Sequence, residues 1–229
     1  QSVAIKTVLP GRTAPTVVAE VRPQVTGIVK SRTFSEGAEV KAGSTLYRLD
    51  PATYQTAHDS ARAAVAKAEA SVETARRNLA RAKELFDIKF VSQQAYDDAA
   101  TTLRQSEADL AGARAAAEAA RINLAYTNVV APISGRIGKS TVTAGALVTA
   151  NQPTPLATIQ QMNPMYVDIT QSSNEALRLR RAMASGELKR ARDDAARVTL
   201  QLEDGTSYPQ EGTLQFSDVT VDAATGAIT

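Results

Sequence analysis

From Tyr54 to Ala125 the chain has 72 residues, 22 of them alanine, with no proline and a single glycine, Gly112. The strongest helix former is abundant and the breakers are missing, so this stretch predicts helix. Its apolar residues follow a heptad. In the first half Tyr54, His58, Ala61, Val65, Ala68, Val72, Ala75, Leu79, Ala82 and Phe86 recur at alternating spacings of 4 and 3. In the second, Tyr96, Ala99, Leu103, Ser106, Leu110, Ala113, Ala117, Ala120 and Leu124 do the same. That alternation keeps one seam turned toward a partner helix. Between the halves, Asp87-Ile88-Lys89-Phe90-Val91 breaks the phase, and Ser92 suits an N-cap. So short a connection implies two antiparallel neighbours.

The seam also suggests a register. Pairing positions whose numbers sum to 178 sets Leu79 against Ala99, Ala75 against Leu103, Ala68 against Leu110 and Val65 against Ala113. Large then faces small in each layer, which fills the space between helices. The same register puts His58 against Ala120. Arms of about 35 residues, rising 1.5 Å each, would project roughly 50 Å. Ten basic and ten acidic residues balance on the outer faces. A thin, neutral, solvated rod has no room for an active site; it reaches and docks.

Other chemistries find little support. With 26 Lys+Arg against 24 Asp+Glu, the net charge of +2 lacks the basic excess that neutralising many phosphates requires, so nucleic acid is not an expected partner. The chain has no Cys, which excludes thiolate metal sites, disulfides and Cys nucleophiles. Gly138-Lys139-Ser140 resembles the end of a phosphate-binding loop, but that motif needs glycine where Ile133 stands. The one histidine, His58, lies on the seam, and Asp97-Asp98 sit on an exposed helix with nothing to shift their protonation. No catalytic, metal-ligating or cofactor-binding residue is expected. No run in the sequence approaches the length of about 18 apolar residues that a membrane span requires. The chain starts at Gln1 rather than Met, so a trimmed N-terminus is expected, with any membrane anchor outside it.

Outside the helical zone, Gly, Pro, Val and Thr recur in the manner of strands and turns. Val25-Thr26-Gly27-Ile28-Val29 matches Ile133-Ser134-Gly135-Arg136-Ile137, and Gly37 and Val40 match Gly145 and Val148, all at one offset of 108. Two half-motifs interrupted by a hairpin predict a symmetric β sandwich assembled from halves. Toward the C-terminus, Met165–Thr170 alternates like a strand, Asn174–Ala184 reads as a short helix carrying the Arg178, Arg180, Arg181 cluster, and Val198–Leu202 with Thr206–Tyr208 flank an Asp204-Gly205 turn. Thr213–Phe216 and Val219–Val221 read as further strands.

Residues Val21–Val29, Glu36–Gly43 and Leu46–Tyr54, together with Ala131–Gly138 and Val142–Val148, resemble the periplasmic adaptors of tripartite multidrug efflux pumps, the membrane fusion proteins of AcrA/MexA type. The resemblance covers essentially the whole chain. It implies an α+β multidomain fold: a long antiparallel α-helical coiled-coil hairpin inserted in a split lipoyl-like β sandwich, plus a partial β-barrel. The divisions expected are 1–20 for N-terminal barrel strands, 21–53 for the first lipoyl half, 54–126 for the hairpin, 127–161 for the second half, and 162–229 for a barrel incomplete at its C-terminus. Lys6–Pro10 and Val17–Glu20 are the strands the barrel would recruit, and Asp222–Gly226 resembles a family turn before another barrel strand. Family members carry a further membrane-proximal domain and begin ahead of this region. No carrier function is expected, because the turn that would bear a modifiable lysine is replaced by the hairpin.

The family's docking motif (Arg, three residues, Leu, six residues, Ser) stands here as Arg81, Leu85 and Ser92. The resemblance implies that this tip meets a TolC-like outer-membrane channel, while the rest of the protein holds an inner-membrane resistance–nodulation–division (RND) transporter. It also implies self-association into a hexameric ring, attached to the inner membrane in the periplasm of a Gram-negative bacterium, and no catalysis. Two other readings remain: an adaptor for an ATP-driven or metal exporter, and a structural coiled-coil protein without a transport role. Three Met and one His make a poor soft-metal site, and a purely structural rod does not explain the split repeat.

Overall fold

The computed structural model describes residues 8–172, 190–192, 195–214 and 227–228. Two compact units divide the chain, one formed by Thr16–Asn163 and the other by the described parts of Gln1–Pro15 and Pro164–Thr229.

Two four-stranded sheets pass through the first unit. One contains β1 (Gly11–Val21), β8 (Ala157–Ile169), β6 (Gly135–Ile137) and β3 (Glu39–Val40), in that order. The other runs β5 (Asn128–Val130), β4 (Thr45–Leu49), β2 (Gly27–Arg32) and β7 (Leu147–Val148). The 108-residue repeat is realised as reciprocal pairing. Gly27 pairs with Val148 and Ile28 with Leu147; at the same offset Gly135 pairs with Val40 and Arg136 with Glu39. Hydrogen bonds repeat likewise: Val29 N donates to Ala146 O at 2.9 Å and Ile137 N to Ala38 O at 3.0 Å, while Gly145 N donates to Val29 O at 2.8 Å and Gly37 N to Ile137 O at 2.9 Å. Each half therefore completes the sheet of the other. Neither half has its hydrogen bonds satisfied alone, which ties 27–40 to 135–148 across the whole intervening hairpin.

The core lies between the sheets. Val29, Leu46, Tyr47 and Leu49 come from one and Val21, Ile137 and Ile159 from the other, all of them buried. Tyr47 meets Phe34 edge-to-face at 5.3 Å. Its hydroxyl lies 2.7 Å from Ser140 Oγ and 3.0 Å from Leu156 O, so the one deeply buried phenol is satisfied. Burial is the main reason its pKa is raised.

The hairpin leaves this unit through α1 (Ala52–Asp87) and returns through α2 (Gln93–Ala125). Its root is tied down in three ways. Asp50 Oδ1 accepts from Ala52 N at 3.1 Å, Lys30 pairs with Asp50 at 3.2 Å, and Tyr54 Oη donates to Thr26 O at 2.7 Å. The amide of Ala52, then Lys30, hold the Asp50 carboxyl below the usual range. The helices pack antiparallel, in a register that differs from the sequence expectation. Phe86 stacks on Tyr96 with ring centroids 5.6 Å apart, and Arg76–Glu107 and Arg114–Glu69 bridge the helices at 3.7 and 2.9 Å. These pairs sum to 182 or 183, not 178. In that frame Leu79 faces position 103 rather than 99, one turn away, and Val72 faces Leu110, with which it shares an open groove. Leu79 and Val72 therefore meet leucines at 103 and 110, while Val65 still meets an alanine, Ala117. His58 falls opposite Leu124 instead of Ala120, and its buried Nδ1 has no hydrogen-bond partner. A heptad seam fits several registers one turn apart; closure of the connection and the aromatic stack beneath it choose among them.

In the second unit β11 (Ala195–Gln201) pairs antiparallel with β12 (Ser207–Leu214) and with β10 (Arg190–Arg192). The Asp204-Gly205 turn expected from the sequence is present. Gly205 has φ +81°, and Asp204 Oδ1 accepts from Thr206 N at 2.9 Å. The Thr206 hydroxyl, which donates to the same oxygen at 2.6 Å, and then the Thr206 amide lower the Asp204 pKa. Gln171–Ser172 (β9) and Ala227–Ile228 (β13) pair antiparallel. The strand expected at 165–170 is the end of β8, and the one expected at 213–216 starts inside β12. At the N-terminus β1 starts at Gly11 and contains Val17–Glu20; of the strand expected over Lys6–Pro10, residues 8–10 precede β1, and Lys6 and Thr7 lie outside the described residues. Pro10, without an amide hydrogen, is a natural boundary. Asn174–Ala184 with its arginines, Val219–Val221 and Asp222–Gly226 lie outside the described residues.

Candidate functional site

The turn joining the helices is closed by their own ends. Lys89 N donates to Phe86 O and Phe90 N to Leu85 O, each at 2.8 Å. This is the paired closure of a Schellman motif, which satisfies two carbonyls that would otherwise be orphaned at the end of α1. Its left-handed position, usually glycine, is Lys89 with φ +58°. On the other side Ser92 Oγ accepts from Ala95 N at 3.2 Å and caps α2. Beneath the turn the Phe86–Tyr96 stack clamps the two helices. Because glycine adopts the left-handed conformation without a Cβ clash, Lys89→Gly is expected to stabilise the full-length protein by about 1 kcal/mol. A rise in the urea midpoint checks this; no change would mean that the turn is unstrained.

Arg81 and Leu85 are one helical turn apart on α1, so they share a face. Arg81 Nη2 donates to Asn78 Oδ1 at 2.6 Å, which orients the guanidinium along its own helix and leaves other donors outward. Leu85 lies off the heptad seam and is 38% exposed. Ser92 is also exposed, and capping uses its oxygen as acceptor while its hydroxyl proton can still be donated. The three expected residues therefore all lie at the outer end of the hairpin. What the sequence reading missed is the apolar character of the turn itself: Ile88 is 71% and Phe90 78% exposed, more than Leu85. The broken heptad phase at 87–91 was the signal that could have found them.

Elsewhere, the Gly138–Ser140 segment has a structural use. Glu36 Oε1 accepts from Ser140 N at 3.2 Å, so the segment is tied to a carboxylate of the same sandwich. That amide and Arg32 lower the Glu36 pKa. Among the described residues no three His, Asp or Glu side chains gather as a metal site, and no helix is long and apolar enough to cross a membrane.

Two family models match the chain: "RND MFP, barrel-sandwich hybrid domain" over residues 17–160 and "RND MFPs, beta-barrel domain" over 164–229. Multidrug efflux pump subunit AcrA of Escherichia coli K12 is 53% identical over 225 residues, 98% of this chain and 56% of that protein. Multidrug resistance protein MexA of Pseudomonas aeruginosa is 52% identical over 229 residues, 100% of this chain and 56% of that protein. The chain thus spans a little over half the length of these curated relatives. Among solved structures, a MacA–MexA chimera containing the Pseudomonas aeruginosa MexA α-hairpin domain has a TM-score of 0.60 at 27% identity, covering 93% of this chain and 69% of that one.

Proposed function

Since the chain belongs to the membrane fusion proteins of RND efflux pumps, we propose that it is the adaptor linking an inner-membrane RND transporter to a TolC-like outer-membrane channel. The observation that supports this reading is the far end of a long helical hairpin, where Arg81 and Leu85 lie in the last turns of α1 and Ser92 caps α2 across a closed turn. The work is geometric, with no bond made or broken. The two helices act as a coiled-coil spacer and residues 54–126 form it. The sandwich, of lipoyl type with halves at 21–53 and 127–161, packs against its copies in a ring, hexameric in the pump. Residues 1–20 and 162–229 contribute to a barrel facing the transporter. The protein works in the periplasm of a Gram-negative bacterium, attached to the inner membrane. Both matching family models are those of RND fusion proteins, which favours a proton-driven transporter over an ATP-driven or metal exporter.

Single cysteines placed at 85 or 92 of the full-length protein test this in cells that carry its own transporter and channel. The expected product is a crosslink to an outer-membrane protein that depends on the channel gene. Crosslinks only to inner-membrane proteins, in cells that pump normally, would refute the assigned direction of the hairpin.

A further inference from the structure

We infer that Ile88 and Phe90 decide which channel the tip accepts, by entering an apolar recess on the channel's periplasmic end whose rim of carboxylate or carbonyl oxygens receives the Lys89 ammonium. This rests on the reading of the tip given above and extends it to residues outside the Arg81, Leu85, Ser92 spacing. Ile88 and Phe90 do nothing visible for the fold. The neighbouring aromatics Phe86 and Tyr96 stack on each other, whereas Phe90 joins no aromatic pair among the described residues. Exposures of 71% and 78% leave both side chains almost fully in water, where single large apolar groups gain nothing unless a partner covers them.

Their placement is held by the backbone. The two hydrogen bonds that close the turn fix Ile88 and Phe90 on either side of a left-handed Lys89. Little conformational freedom would remain to be lost on docking, as suits a shaped recess. The strain at Lys89 falls at the apex, where a non-glycine residue in this region points to use of its side chain. Lys89 has no ion pair among the described residues, so its charge is available to an acceptor.

An apolar pair beside a lysine could also suit an anionic membrane. The charge around it argues against that occupant. Across 81–98 the basic residues Arg81, Lys83 and Lys89 are outnumbered by Glu84, Asp87, Asp97 and Asp98, where a membrane-seeking surface carries a basic cluster.

The test uses the full-length protein with its own transporter and channel. I88S/F90S is expected to lower efflux tenfold or more, with the helical circular dichroism unchanged, while F90L stays within twofold of the parent. Unchanged efflux in I88S/F90S overturns the inference; if the crosslink from position 85 persists in that case, the adaptor reading stands and only this inference falls. Flotation with phosphatidylethanolamine–phosphatidylglycerol vesicles covers the other occupant. Capture of the parent protein that is lost in I88S/F90S would assign the pair to a membrane and overturn the inference as well.

Discussion

Leu85→Ser in the full-length protein is expected to abolish efflux, with drug susceptibility falling back to that of cells lacking the protein and the helical circular dichroism retained. The separation of function from folding follows from where Leu85 sits. It is off the seam and 38% exposed, so its removal forfeits only part of a leucine's burial. The backbone closure of the turn survives, because it uses the Leu85 carbonyl and not its side chain. At a docking tip the same change removes an apolar contact and adds a hydroxyl that must find a partner in a desolvated interface. Arg81→Asp belongs beside it. The Asn78 hydrogen bond it breaks is on the surface and contributes little to stability, whereas the charge reversal would repel whatever acceptors the guanidinium meets. Full efflux in both variants would withdraw the tip assignment.

Gly135→Ala should cost about 3 kcal/mol of stability, the upper part of the usual range for overpacking. A Cβ at Gly135 would overlap the carbonyl oxygen of Gln160 and lie 2.9 Å from its carbon and 3.2 Å from Gln161 Cα. All three are backbone atoms of β8, the neighbour of β6 within its sheet, so no rotamer change can relieve the overlap. The strands must part, and with them the pairing of Arg136 with Gln160 and of Ile137 with Ile159. A fall in the urea midpoint measures this; an unchanged midpoint would mean that the strands separate freely. The counterpart in the repeat, Gly27, shows why the position and not the motif sets the cost. A Cβ there would meet nothing nearer than Leu49 Cβ at 3.5 Å, an ordinary contact.

Several features were legible in the residues because the forces behind them are local or strictly periodic. The alanine-rich, proline-free stretch could only be helix, Ser92 could cap, and Asp204-Gly205 could turn, since each depends on neighbours in the chain. The 108-residue offset carried long-range information because a repeat states the same local preference twice, and the structure uses it as a reciprocal exchange of strands. The Arg81, Leu85 and Ser92 spacing was legible through resemblance, and their common place at the turn follows from the lengths of the two helices. The helix register was not. Seam residues are compatible with several alignments one turn apart, and the pairing of large with small that favours 178 is only one way to fill layers. Closing a five-residue connection over the Phe86–Tyr96 stack selects 182. The outward aim of Ile88 and Phe90 was likewise undetermined by composition, because it depends on the left-handed backbone at Lys89, which the residue itself disfavours. Sequence alone therefore determined the helical stretch, its Ser92 cap, the Asp204-Gly205 turn and the paired half-motifs, where backbone preference and period decide. Tertiary structure decided which side chains meet across the hairpin and which two face the solvent at its tip, since only the closed chain selects among alternatives that are locally equivalent.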